Sequence, residues 1–311
     1  MMQTAHIPRD PLKTSAEGSV DMLSETGITS DSHWKRTDPV GLTRESFLDL
    51  LFGRTPLVRE EQFLTPSQSQ GLYDHFVPLL SPYLHVTGPP VSKVGVAQFE
   101  FQAQSAEDFK NRAGDEKERY FRECEKVRTL HDGLADIAGE NVWEKMSNIV
   151  AELVPEYDVC VANEGPGKTY FSGIVRKINS GVPIHCDWAP YDCATEDWIL
   201  SKITHQLAVN LYLSPATRGG STTVFDVQWT PGALEHRDPA TYGYFEDLVR
   251  GRATATFQPG MGDLCFFNSR NLHIVRSLEP GEDTQRIAMS SFVGLLPTEV
   301  TGGKPKLIFW S

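Results

Sequence analysis

The spacing of apolar residues changes along this chain, and the change falls near Pro155. Ahead of it, apolar positions recur at steps of three and four, the period of a helix with one buried face. Phe47–Phe52 reads as a short helix, and Pro56–Val58 as the start of a strand. Thr65-Pro66 is an N-cap with proline at the first helical position, which predicts a helix through Phe76. Val94–Phe101 alternates as a strand would. Ala106, Phe109, Ala113, Tyr120, Cys124, Val127, Leu134 and Ile137 form a long helical stripe that Gly114 and Gly133 can interrupt. Another helix is predicted from Asn141 to Val154. Residues 1–40 are polar and rich in Ser, Thr, Asp and Pro, and ordered structure is expected to start near Glu45. Residues 1–44 are therefore read as a flexible leader.

After Pro155 the pattern becomes that of short strands bounded by Gly, Pro and Asn. They are Tyr170–Asn179, Pro183–Trp188, Leu207–Leu213, Thr222–Gln228, Ala253–Phe257, Asp263–Phe267, His273–Leu278 and Arg286–Leu295. Such a run without long intervening helices predicts a two-sheet, cupin-like jelly roll, with the earlier helices packed on one sheet. The fold class is then mainly β with flanking helices (α+β). Residues 45–156 give helical support and 157–311 the jelly-roll core of a single domain. Residues 189–206 and 229–252 are longer interruptions, with helices predicted at Glu196–Ile203 and Tyr242–Val249. Insertions of this length in a compact β domain often cover a site.

Composition narrows the class of function. Lys and Arg number 29 against 41 acidic residues, a net charge of −12. No Lys/Arg cluster offsets this, which excludes a phosphate-backbone partner. No apolar run reaches the length of a membrane span, and the N-terminus lacks a basic start followed by an apolar stretch. Five scattered cysteines with no CxxC read as reduced thiols in a cytoplasmic protein.

The candidate chemistry lies in the β-rich half. His185 and Asp187 stand two apart in Val182-Pro183-Ile184-His185-Cys186-Asp187-Trp188, at the end of a predicted strand. Positions i and i+2 of a strand face the same way, so imidazole and carboxylate can converge on one metal ion. His273 opens the next strand after Gly262-Asp263-Leu264-Cys265-Phe266-Phe267. A His-x-Asp pair is common by chance; its weight here comes from strand ends that meet a distal histidine. Two histidines and one carboxylate cover one face of an octahedral iron(II) and leave positions for a chelating 2-oxo acid and dioxygen. Arg286 begins the last predicted strand, where its planar fork can pair the far carboxylate of 2-oxoglutarate. Ser290, on the same strand face, is a candidate donor to that carboxylate. Tyr212 and Asn210 share one face of Leu207–Leu213 and are candidates to bond the co-substrate. Trp188, Trp198 and Trp229 flank the predicted mouth and are candidate substrate-pocket residues, with core packing as the competing role. His205 and His236 are weaker rivals for the metal, because His236 lies in a polar loop and His205 precedes a strand without a partner at i+2.

The ordered series of His-x-Asp, Gly219-Gly220, Gly262-Asp263, His273, Arg286 and Ser290 resembles the iron(II)/2-oxoglutarate oxygenases of the double-stranded β-helix fold. Within them the chain is similar to the cyanobacterial halogenases of free indole alkaloids of the welwitindolinone type. The similar stretches include Val96-Ala97-Gln98, Gly219-Gly220 through Gln228-Trp229-Thr230-Pro231, Pro259–Phe267 and Phe309-Trp310-Ser311. Gln98 is carried over from this likeness as a candidate pocket residue. Those halogenases carry glycine where this chain has Asp187, which leaves room for chloride on the metal. The resemblance therefore implies a hydroxylase of a free small molecule in natural-product biosynthesis, using iron(II), 2-oxoglutarate and dioxygen. A peptide hydroxylase on the same fold, a non-catalytic jelly-roll binding protein and a zinc hydrolase are the alternatives. The last has no use for Arg286.

Overall fold

A computed structural model describes residues 33–83, 89–103, 106–193, 196–215, 217–281 and 284–311. The first half carries α1 (Arg44–Leu51), β1 (Leu57–Glu60), α2 (Pro66–Phe76), β2 (Ser81–Pro82), β3 (Ser92–Val94), α3 (Ala106–Asn111), α4 (Glu116–Lys126), α5 (Leu134–Ala138) and α6 (Val142–Leu153). The second half carries β4 (Asp158–Val161), β5 (Ile174–Lys177), β6 (Val182–His185), α7 (Ala189–Asp192), β7 (His205–Ser214) and β8 (Thr222–Gln228). It continues through β9 (Thr254–Phe257), β10 (Leu264–Asn268), β11 (Asn271–Val275), β12 (Ile287–Leu296), α8 (Thr298–Thr301) and β13 (Lys306–Trp310).

Local signals set several of these bounds. Thr65 caps α2 through a reciprocal box with Gln68, and Pro66 occupies the first turn, as the sequence predicts. Asn141 caps α6 by accepting from the Trp143 and Glu144 amides. The long stripe beginning at Ala106 is three helices, not one. Gly114, at φ +83°, breaks the chain before α4, and Gly133 caps α5. The strand expected over Val94–Phe101 ends at Val94, and a 3₁₀ turn occupies Gln98–Phe101. Its alternation reflects burial in a loop rather than pairing in a sheet. Likewise Glu196–Ile203 and Tyr242–Val249 contribute only 3₁₀ turns, at Ile199–Lys202 and Glu246–Val249.

Two sheets face each other. The larger follows the order β1-β10-β7-β12-β5-β3-β2, with β13 pairing both β12 and β4; the smaller runs β6-β11-β8-β9. This is the expected jelly roll. Alternation along β7 divides its residues between two environments. Leu207, Val209, Leu211 and Leu213 join a core with Phe47, Leu72, Phe76, Trp143, Met146 and Val150 from the helices. Ala208 and Tyr212 turn the other way, into an inner cluster with Val224, Phe257, Cys265, Phe267 and Ala288. The helices thus cover the outer face of the large sheet, and the inner face is left for the space between the sheets.

Of the expected leader, residues 1–32 lie outside the described residues. Residues 33–43 are fastened to the fold. The His33 amide donates to Asp226 Oδ2 at 2.9 Å, Val40 bridges to Val58, and Trp34 packs against the inner cluster. The first residues of the fold therefore precede Glu45. The sequence concealed them because they are held mainly by backbone bonds, which leave no apolar period. All five cysteines are free, and no helix among the described residues is long and apolar enough to cross a membrane.

Candidate metal centre

His185, Asp187 and His273 come together as the strand pattern requires. Their ligand atoms all lie within 4.8 Å of one another, and no other such group occurs among the described residues. His185 and His273 are direct partners across β6 and β11, with ring centroids 4.1 Å apart. Asp187 Oδ2 sits 3.5 Å from His273 Nε2 and 3.9 Å from His185 Nε2.

Strand alternation explains only part of this. β6 ends at His185, so Asp187 lies beyond it, and His273 is the middle of β11 rather than its first residue. Asp187 is placed by backbone bonds. Its amide donates to the Ser269 carbonyl at 2.9 Å, while Gln206 Nε2 and Ser269 Oγ donate to its carbonyl at 3.1 and 3.2 Å. Cys186, between the two ligands, packs toward the cluster of Ile184 and Leu272 on the far side of the small sheet.

Each imidazole is locked with Nε2 toward the centre. His185 Nδ1 donates to the Pro183 carbonyl at 2.8 Å, and His273 Nδ1 to the Asn271 carbonyl at 2.9 Å. Such bonds fix tautomer and ring plane, as metal-binding histidines require. Burial, reinforced by the His273 ring, pushes His185 down to about 4, so it is neutral near pH 7 and its Nε2 lone pair is free. Burial opposes ionisation of Asp187, yet the adjoining His273 and His185 rings and the Arg176 guanidinium outweigh it and hold the carboxyl at about 2. Two imidazoles and one carboxylate fit a divalent iron better than the cysteine-rich sets of structural zinc.

Arg286 lies deeper between the sheets and is 6% exposed. Its Nη2 donates to Tyr212 Oη at 3.1 Å and Thr222 Oγ1 at 3.3 Å, while its Nε is buried without a partner. No carboxylate lies within ion-pair range of it among the described residues. A buried guanidinium in this state is costly, and an incoming carboxylate would relieve it. The site thus fits 2-oxoglutarate on an observation independent of the metal ligands.

The other expected site residues divide. Tyr212 and Asn210 do face inward, and Tyr212 touches Arg286. Ser290 does not accompany it. Ser290 stands four positions on, about 13 Å further along the strand direction, and its hydroxyl instead donates to Asn210 Oδ1 at 2.7 Å. The hydroxyl that joins Tyr212 at Arg286 is Thr222, which sequence reasoning passed over; its place two residues before the inward-facing Val224 was the available signal.

The proposed pocket residues are not brought to the triad. Trp198 is fully buried with Tyr120, Phe121 and Tyr170, while Trp188 and Trp229 pack behind the small sheet with Ile184 and Leu272. Gln98 is buried beside Cys193, its Nε2 3.7 Å from the sulfur. Large rings near motifs drew attention, but the apolar core claims them. Missed instead was Tyr242. The insertion after Trp229 is pinned to β6 by the Tyr244 amide on the Ile184 carbonyl at 2.8 Å, which sets the Tyr242 ring edge-on to His185 at 5.6 Å.

Residues 110–300 match the family model of the carrier-protein-independent halogenase WelO5. The chain belongs to this family. The family lies within the iron(II)/2-oxoglutarate oxygenases, in agreement with the donor set. Among its relatives is the leucinostatins biosynthesis cluster protein S of Purpureocillium lilacinum, 34% identical over 227 residues that cover 72% of this chain and 86% of that protein. The L-gamma-glutamyl-L-propargylglycine hydroxylase of Streptantibioticus cattleyicolor is 33% identical over 149 residues, covering 47% of this chain and 50% of that protein. An N-substituted L-amino acid dioxygenase from Burkholderia ambifaria, solved with alpha-KG, superposes with a TM-score of 0.55 at 15% identity, over 86% of this chain and 91% of its own. That likeness bears on the fold, a double-stranded β-helix.

Proposed function

We propose that this family member is a hydroxylase of a free small molecule, one that oxidises an unactivated C–H bond in natural-product biosynthesis and does not halogenate. The observation that carries the reading is Asp187, whose carboxylate reaches both histidine Nε2 atoms where the related halogenases have glycine. A third protein ligand there leaves no vacancy for halide. One relative of the chain is itself named a hydroxylase, which supports the same direction.

Iron(II), 2-oxoglutarate and dioxygen would supply the oxidation, which no side chain can perform. The protein's part is to hold and to shield. His185 and His273 offer Nε2 atoms in fixed ring planes. Asp187 adds a negative charge that favours a divalent cation. Arg286, steadied by Tyr212 and Thr222, receives the far carboxylate of 2-oxoglutarate. Tyr242 closes the side of His185 against water. Residues 33–311 act as one catalytic unit, because helix and strand residues share one core.

The test is anaerobic titration with iron(II) and then 2-oxoglutarate, following the visible charge-transfer band of the chelate, with and without chloride. The band is expected only with both components and is expected to ignore chloride. Asp187→Gly is expected to retain the band and make it chloride-sensitive. A chloride-sensitive band in the parent would refute the hydroxylase reading.

A further inference from the structure

The space between the sheets holds a second guanidinium that the oxygenase chemistry leaves unused. Arg176 stands on β5, in register with Ala288 of β12 on one side and Lys93 of β3 on the other. Ala288 is in turn the partner of Tyr212, so Arg176 shares the inner face that carries the proposed 2-oxoglutarate site. Its Nε is buried with no hydrogen-bond partner, and no carboxylate among the described residues comes within ion-pair range. The Tyr83 ring lies 5.9 Å from the guanidinium carbon. The charge acts on Asp187 and on Tyr242, the ring set against His185. Arg176 therefore stands on the inner face beside the Tyr83 ring, near enough for its charge to act on Asp187 and Tyr242.

Its neighbour shows how the fold treats an inward cation when no ligand is intended: Lys93 is paired with Glu100. Arg176 has no such partner, in a chain with a surplus of carboxylates. Balancing Asp187 does not account for it, since a bound divalent cation takes up that charge. Nor does 2-oxoglutarate, whose one carboxylate goes to Arg286 and whose other belongs to the chelate. A second anion is missing from the account, and the remaining ligand of such a site is the substrate.

We infer that Arg176 binds a carboxylate of the substrate, which is therefore a small carboxylic acid held with Tyr83 and Tyr242 along its apolar part. This rests on the oxygenase reading above and deepens it. The test uses the anaerobic complex with iron(II) and 2-oxoglutarate and a panel of free and N-acylated L-amino acids, each beside its carboxamide. The readout is the shift of the charge-transfer band as a panel member enters. At least one acid is expected to shift the band while its carboxamide does not. Arg176→Gln is expected to weaken that acid about 30-fold and leave the 2-oxoglutarate dissociation constant within about twofold, and Arg176→Lys to recover part of the loss. Acids and carboxamides binding alike, a silent panel, or a large rise in the 2-oxoglutarate constant with Arg176→Gln would each overturn the inference while the oxygenase reading stands. A band that never forms would refute both.

Discussion

Replacing Arg286 by glutamine separates two quantities that the structure ties to one side chain. The guanidinium is buried whether or not 2-oxoglutarate is present, so the protein alone bears the burial cost. In the free protein its orphaned Nε costs about 1–3 kcal/mol, while its bonds to Tyr212 and Thr222 contribute about 0.5–1.5 kcal/mol each. These nearly cancel, so Arg286→Gln should leave the stability of the free protein within about 1–2 kcal/mol of the parent. With co-substrate the balance differs. A charge-assisted pair of bonds to the far carboxylate is replaced by one neutral bond, a loss of about 3 kcal/mol or about 100-fold in affinity. Ligand concentration then magnifies the contrast. At about 1,000 times the parent's dissociation constant, binding stabilises the parent by about 4 kcal/mol and the variant by only about 1.4 kcal/mol. The assay is denaturant unfolding of the anaerobic iron(II) protein with and without 2-oxoglutarate, alongside the charge-transfer titration. A variant dissociation constant within about threefold of the parent's would refute the assignment of Arg286. A large stability change without co-substrate would refute the cancellation.

His185→Ala and His273→Ala should each weaken iron(II) binding about 100-fold or more and abolish the band, measured by anaerobic titration. The metal-free protein should lose stability as the pH falls from about 6.5 to about 4. Burial and Arg270 push His205 down to about 4 from 6.5, and burial lowers His131, so protons bind the unfolded chain first. That contribution is complete above about pH 6.5, falls as pH drops and levels off near pH 4; after discount for partial exposure it is about 1–2 kcal/mol for His205, and a flat urea midpoint across this range would contradict it. Trp198→Ala should cost about 3–5 kcal/mol in unfolding free energy and leave the 2-oxoglutarate dissociation constant unchanged, because the ring fills a core away from the triad. A change in that constant with little loss of stability would return Trp198 to the site.

The sequence by itself determined the class of fold and the donor set. Period-two runs after Pro155 specify strands, because successive residues must face core and solvent in turn, and most strands lie within a few residues of where those runs put them. The donor types of His185, Asp187 and His273 are readable from residue identity and strand spacing. What only the tertiary structure decided is which face of each strand looks inward and what meets across the gap. Asp187 reaches the centre through bonds from Gln206 and Ser269, which no local period encodes. Thr222 rather than Ser290 serves Arg286, because strand rise places Ser290 too far along β12. The tryptophans pack into cores, since a ring's burial depends on the surface it meets and not on its distance from a motif. Tyr242 comes from an insertion far along the chain from β6, and only the folding of that insertion against β6 sets its ring on His185.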